Sequence, residues 1–382
     1  MTIAVITGTR PEIIKMYPIM RLFESRSIDY KYIHTGQHYD YNLFVKFIEE
    51  FGIREPDICI SADISSPVKQ VSSIMDKIGT IISQIRPSLV LVEGDTNSVL
   101  ASALAALKLG IPIAHVESGL RSNDWKTVEE HNRKIVDHIS DILFSPTDIS
   151  TQNLQGEHVH GEIHTVGNTV MDAINLSLSQ EKNDPSRGTG PQKQNKVSNS
   201  KINRERKIQF NNHKHDDDYI LVTLHRSENV DQEDILKQVL GVLSESNHNY
   251  IFPMHPHTMK RVQQFGLTQS IGNNIKIIEP VGYSDFIRLL KNCKFVITDS
   301  GGIQEEITSS HINKRAIVLR DFTERPESVL SNHSVLCKIK YDTILSEIEK
   351  FSTEQKTFPR HSPYGKGDSA TKIVDILQDK FT

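Results

Sequence analysis

At 382 residues the chain exceeds what one hydrophobic core ordinarily holds, so two domains are expected. A hydrophobic share of 37% and a charged share of 24% describe a soluble globular protein, and a net charge of −4 offers no basic surface for nucleic acid. Cys59, Cys293 and Cys337 are widely spaced among apolar neighbours typical of a core, which excludes a disulfide framework or paired zinc ligands and predicts a reducing compartment. No basic segment precedes the first apolar run and no stretch approaches membrane-spanning length, so a cytoplasmic protein with no membrane partner is expected.

A short apolar run predicts a strand over 3–7, followed by Gly8-Thr9-Arg10-Pro11 and a helix over 12–23. Pro11 suits a first helical turn, where its missing N–H would be unpaired anyway. Arg10 and Lys15 stand near this helix start, as two solvated cations or as part of an anion site. A strand over 30–35 ends in Thr35-Gly36-Gln37-His38, and helices are predicted over 41–51 and 68–84. The strand over 89–93 leads into Gly94-Asp95-Thr96, and a helix over 97–109 follows. The strand over 112–116 leads into Glu117-Ser118-Gly119, with a helix from Glu129 onward. Further strand ends fall at Ser145 and Val166.

Alternation of apolar strands with helices predicts a parallel, doubly wound sheet, whose functional groups gather at the carboxyl ends of its strands. Asp95 and Glu117 share that rim. Each suits either a helix cap or acid/base chemistry, and Glu129 with Glu130 on the next helix favours the latter.

Between 177 and 218 the alternation stops in a stretch rich in Asn, Lys, Gln, Ser, Gly and Pro, read as an interdomain connection with a short helix near 202–210. His158, His160, His164, His213 and His215 have no established metal spacing. A second alternating unit begins with a strand over 219–224 that delivers His225. Strands are predicted over 250–254, 275–278, 295–298 and 316–319, and helices over 232–244, 258–265, 284–292 and 369–381.

The strand over 295–298 runs into Asp299-Ser300-Gly301-Gly302 and then a helix carrying Glu305 and Glu306. Asp299 and Ser300 offer capping side chains, the glycines predict a tight turn, and a helix start after bare backbone predicts a phosphate site. Glu306 could accept hydrogen bonds from a diol. A cleft between two such sheets suits a nucleoside diphosphate held by the second half, its attached group facing the carboxylates of the first. The dinucleotide-binding glycine order and the Walker lysine motif are both missing, which disfavours hydride transfer and ATP hydrolysis by those routes.

GTRPEIIK, TGQH, EGDTNSVLA, HVESGLRS, EEHNR, GNTVMDA, LHRSEN, TDSGGIQEE, RDFTERPE and SPYGKGDS occur in this order over nearly the whole chain. The set resembles the non-hydrolysing UDP-N-acetylglucosamine 2-epimerases. That resemblance implies an α/β fold of two Rossmann-like doubly wound parallel-sheet domains, in the glycosyltransferase-B arrangement with an interdomain cleft. The divisions implied are 1–176, a polar linker 177–218, and 219–365, with 366–382 packing back on the first domain. It also implies interconversion of UDP-GlcNAc and UDP-ManNAc for cell-surface polysaccharide, no metal or cofactor, and a homodimer.

By resemblance Asp95, Glu117 and Glu129 supply acid and base, while Arg10, His225, Ser300, Gly301 and Gly302 meet the departing pyrophosphate. Lys15 joins the substrate contacts, Glu306 matches a ribose position, Phe286 a uracil-side position and Arg325 a further nucleotide contact. Gln37, His38, Gln70 and His255 resemble a second, regulatory UDP-GlcNAc site of some members. Two departures stand out: Thr127-Val128 replaces the usual proline before Glu129, and Ser118 replaces the usual Ala. Alternatives of the same architecture are an epimerase for UDP-diacetamido-glucuronic acid, a hydrolysing epimerase, and a glycosyltransferase. A catalytically silent UDP-sugar sensor is the reading from a different class.

Overall fold

A computed structural model describes residues 2–36, 48, 52–182, 218–354 and 357–381. The helix predicted over 202–210 and, apart from residue 48, the one over 41–51, together with Gln37, His38, His213, His215 and most of the predicted linker, lie outside them.

The first half forms strands β1 (Ile3–Thr7), β2 (Tyr30–His34), β3 (Ile58–Cys59), β4 (Leu89–Glu93), β5 (Ile113–Val116), β6 (Ile142–Ser145) and β7 (Glu162–Thr165). Their order in one sheet is β3-β2-β1-β4-β5-β6-β7, with every pairing parallel. Helices α1 (Arg10–Ser25), α2 (Pro67–Ile85), α3 (Asn97–Lys108), α4 (Val128–Ile139), α5 (Asp148–Gly156) and α6 (Thr169–Lys182) connect and cover it. Strands β1, β4, β5 and β6 are buried at every residue, which is why they read as unbroken apolar runs.

The second half repeats the plan with β8 (Ile220–Thr223), β9 (Tyr250–Pro253), β10 (Ile275–Ile278), β11 (Val296–Thr298), β12 (Ala316–Val318) and β13 (Ser334–Leu336). The order β10-β9-β8-β11-β12-β13 is again all parallel. Its helices are α7 (Ser227–Val230), α8 (Glu233–Glu245), α9 (Pro256–Gln264), α10 (Tyr283–Asn292), α11 (Gly301–Glu306), α12 (Pro326–Leu330), α13 (Tyr341–Thr353) and α14 (Ser369–Phe381).

Helix α14 leaves the second half and packs on α1 and α6 of the first. Ile373, Val374 and Leu377 are fully buried there, and Arg26 donates to Asp375 at 2.6 Å and to Gln378 at 2.7 Å. The Asp172 carboxylate of α6 accepts the N–H groups of Ser369 and Ala370 at 3.2 Å each, capping the first turn of α14. One apolar cluster runs from β1, α1 and α14 through α6 into α10, β11 and β12, so both halves share a continuous core.

Several expectations change. The short strands β3 and β13 and the helix α12 carried too few residues for a pattern, whereas α13 was missed although Ile344, Ile348 and Phe351 stand at helical spacing. Cys59 is exposed rather than in the core, because β3 is a two-residue edge strand, whereas Cys293 and Cys337 are buried. Helix α6 continues past residue 176, the expected end of the first domain. Among the described residues no helix is long and apolar enough to cross a membrane.

Candidate active site

In a doubly wound sheet a crevice opens where the strand order reverses. That reversal falls between β1 and β4 in the first sheet and between β8 and β11 in the second. The two crevices face one cavity of about 430 Å³, to which the end of β5 adds Glu117.

On the first side the turn after β1 starts α1. Thr9 and Glu12 have the spacing of a capping box, but the bonds differ from the usual arrangement. Glu12 accepts the Gly8 N–H at 2.7 Å and the hydroxyls of Thr9 and Thr96 at 2.8 Å each, so one carboxyl ties the β1 turn to the β4 turn. Burial pushes this carboxyl up to about 7, although the three donors offset part of the shift.

Lys15, three residues further along α1, is buried. Its ammonium contacts Glu117 directly, with Glu93 at 3.4 Å and Glu305 of the opposite half at 3.5 Å. Burial alone would lower the ammonium, but the three carboxylates outweigh it and raise its proton affinity. Two cations, Lys15 and Arg325, cannot keep all three carboxylates ionised out of water. Glu117 stays ionised: burial raises it, but Lys15 and Arg325 win, and Asn168 donates to it at 2.7 Å. Glu93 and Glu305 are pushed up by burial, and each keeps one buried oxygen without a hydrogen-bond partner.

Glu117 sits at φ +66°, a left-handed backbone uncommon outside glycine that turns its side chain toward the cleft. Asp95 is held differently: Arg133 of α4 bonds its carboxylate, and Asn132 donates to its backbone carbonyl at 2.9 Å.

On the second side Asp299 is fully buried. It accepts the N–H groups of His225 and Arg226, the Asn229 amide at 3.1 Å, and an imidazole contact from His225 at 3.1 Å. Burial would raise this carboxyl, yet these partners hold it below the usual range. Ser300 is the N-cap residue of α11, without a side-chain capping bond. Asp299 therefore builds the His225 loop instead of capping α11.

Gly301 and Gly302 form the first residues of α11, not a separate tight turn, and neither has a positive φ. A Cβ on Gly301 would meet the Arg325 guanidinium and the Glu324 carboxylate at 2.8 Å, so a side chain there would press on that ion pair. A Cβ on Gly302 would enter open space in the cavity wall, the approach a phosphate requires.

Arg325 donates to Glu305 at 2.9 Å, Glu324 at 2.5 Å and Glu117 at 3.3 Å, joining the two halves. Arg10 makes a second bridge, donating to the Val281 carbonyl at 3.3 Å. Burial pushes the Glu306 carboxyl up to about 7, and a hydrogen bond with the Tyr283 hydroxyl offsets part of that.

The cavity thus gathers Asp95, Glu117, Arg10, Lys15, His225, Phe286, Ser300, Gly302, Glu306 and Arg325 from distant parts of the chain. Glu129 is not among them: it is exposed at the start of α4. Its neighbour Glu130 is fully buried and accepts the N–H groups of Ser122 and Asn123 at 2.9 and 3.1 Å and an Arg133 donor at 2.5 Å. Those bonds make Glu130 a loop anchor, against the expectation that both would serve acid/base chemistry. The resemblance-based regulatory group divides as well. His255 lines this same cavity, Gln70 instead accepts from Asn97 at 2.8 Å outside it, and Gln37 and His38 lie outside the described residues. Glu12, Glu93 and Tyr283 also line the cavity without having been predicted. The Thr9-to-Glu12 spacing was a usable signal for Glu12; for Glu93 and Tyr283 the sequence carried none. Among the described residues no group of three or more His, Cys, Asp or Glu side chains is arranged to hold a metal ion.

The family model for UDP-N-acetylglucosamine 2-epimerase matches residues 20–378. The chain belongs to this family. The UDP-N-acetylglucosamine 2-epimerase of Methanococcus maripaludis is 41% identical over 386 residues, covering 98% of each chain. A crystal structure of the UDP-GlcNAc 2-epimerase from Methanocaldococcus jannaschii, in complex with UDP-GlcNAc and UDP, superposes with a TM-score of 0.84 at 36% identity. That match covers 99% of this chain and 100% of the other. The UDP-2,3-diacetamido-2,3-dideoxy-D-glucuronate 2-epimerase of Pseudomonas aeruginosa is 33% identical, covering 99% of both chains. The UDP-N-acetylglucosamine 2-epimerase fold, two Rossmann-like domains in the glycosyltransferase-B arrangement, is the one described above.

Proposed function

We propose that this epimerase is of the non-hydrolysing type and interconverts UDP-GlcNAc and UDP-ManNAc at C2. The observation that carries this reading is one cavity holding Asp95 and Glu117 on one wall and Ser300, Gly302, Glu306 and Arg325 on the other. The C2 hydrogen is adjacent to no carbonyl, so direct deprotonation is hard. Cleavage of the C1–O bond to UDP gives oxocarbenium character at C1 and acidifies C2. A carboxylate then takes the C2 proton, leaving a glycal. Protonation at C2 from the opposite face and re-addition of UDP at C1 complete the epimerisation, with no net gain or loss of atoms.

Such a site needs cationic and N–H groups for the leaving pyrophosphate, and an acid and a base on opposite faces of C2. Arg10, His225, Ser300, Gly301 and Gly302 take the first role, Gly301 by holding the start of α11. Asp95 and Glu117 take the second. Glu129, given an acid/base role by resemblance alone, is exposed at the start of α4 and outside the cavity.

Incubation with UDP-GlcNAc in deuterated water, followed by proton NMR, tests this reading. The expected result is UDP-ManNAc with deuterium at C2 and no free sugar; free ManNAc would identify the hydrolysing type, and no label at C2 would reject epimerisation. Asp95→Asn and Glu117→Gln are each expected to slow label entry by about 10²–10⁴-fold. The Pseudomonas relative motivates a parallel incubation with UDP-diacetamido-glucuronic acid, and faster turnover there would reassign the substrate.

A further inference from the structure

The two loops that carry Asp95 and Glu117 are joined by a side chain to which neither substrate binding nor proton transfer has given a role. His115 lies on β5, two residues before Glu117, and is completely buried. Its Nε2 is 2.8 Å from the carbonyl oxygen of Gly94, between Glu93 and Asp95, and its Nδ1 is 2.7 Å from Asp137 of α4. A carbonyl only accepts, so Nε2 is the donor to Gly94.

The other carboxylate oxygen of Asp137 accepts the Gly119 N–H at 3.0 Å and an Arg121 donor at 2.7 Å. Burial would raise the Asp137 carboxyl, but His115 and Arg121 hold it below the usual range, so it stays an acceptor. Gly94 is fixed from its other end too, its N–H donating to the Val116 carbonyl at 3.2 Å. It turns the chain at φ +85°, immediately before Asp95.

We propose that His115, with Asp137, is a positioning residue that sets the spacing between Asp95 and Glu117. One imidazole holds the loop after β4 directly and the loop after β5 through Asp137, so both carboxylates are referenced to one rigid, water-free group. Two groups that must reach opposite faces of one carbon tolerate little drift, and an error near 1 Å costs about 100-fold in rate. The inference rests on the C2 epimerase reading for its kinetic consequence but not for the clasp itself.

The test compares full-length wild type with His115→Phe, His115→Asn and His115→Gln. The Asn amide overlays Nδ1 and keeps only the Asp137 contact; the Gln amide reaches toward Gly94. Amide hydrogen exchange is followed over 93–96 and 117–120, with 220–223 of the second sheet as reference. The clasp predicts faster exchange over 93–96 in His115→Asn, over both loops in His115→Phe, and no change in the reference. With UDP-GlcNAc, deuterium entry at C2 is expected to fall about 10–100-fold in His115→Phe, while UDP affinity stays within about twofold. His115→Gln is expected to recover part of that loss, and with His115→Asn it decides the matter should His115→Phe not fold.

Unchanged protection of both loops would overturn the inference, as would parallel losses of UDP affinity and turnover. Wild-type protein that binds UDP without exchanging C2 would sink the epimerase reading instead, and the amide-exchange arm would still decide the clasp.

Discussion

Lys15 sets the charge state of its surroundings. With Glu93, Glu117 and Glu305 within 3.5 Å, its ammonium is what makes three buried carboxyl groups tolerable in one place. Lys15→Met removes that cation and leaves only Arg325, so a loss of about 3–5 kcal/mol is expected in denaturant unfolding. Glu12 offers a pH-dependent counterpart. Its carboxyl holds a proton to about pH 7 in the fold against 4.5 in the unfolded chain. Its contribution to stability is therefore complete below pH 4.5 and lost as the pH rises through 7. The stability difference between wild type and Glu12→Gln should shift by about 3 kcal/mol across that window, with wild type losing ground as the pH rises. A flat difference in melts recorded across the window would show that Glu12 titrates normally. Asp95 and Glu117 were legible in the sequence because strand ends could be placed from apolar runs. Glu93 was not, since a carboxylate closing a strand looks the same whether water or an ammonium lies beyond it.

The strand-end loops are held by backbone geometry as much as by side chains. Gly119 follows Glu117 by two residues, has φ +85°, and a Cβ there would stand 2.3 Å from the Ser150 carbonyl oxygen of α5. Gly119→Ala must therefore move either the β5 loop or the start of α5, at a cost of about 2 kcal/mol or more. A lowered midpoint in chemical unfolding, with slowed C2 exchange in the folded fraction, is the expected outcome. Apolar, β-branched strands buried on both faces were readable at this level, whereas the capping expected of Asp299 and Ser300 is not made. The start of α4 was misjudged: adjacent Glu129 and Glu130 look equivalent in sequence, yet a helix turns successive side chains about 100° apart, so one faces Arg133 and the other solvent. Short elements such as β3 and β13 carry too few residues for any periodicity.

Both halves behave as one packed body because α14 returns to α1 and α6, and because Lys15–Glu305 and Arg325–Glu117 cross the cleft. Leu377, fully buried on α14, is a contact between chain ends far apart in sequence. Leu377→Ala should cost about 2–5 kcal/mol and lower the midpoint of a single calorimetric transition. Two separate transitions, only one of them shifted, would mean that the halves unfold independently despite their common core.

What could be known from residue order was the architecture and the inventory. Strand and helix periodicities are local, and ten motifs in sequence order need no contact map. Which carboxylate is ionised, which of two neighbouring glutamates is anchored, and that His115 spans two loops required the folded chain. Those properties depend on groups brought within a few ångströms out of reach of water, and no local pattern records such distances.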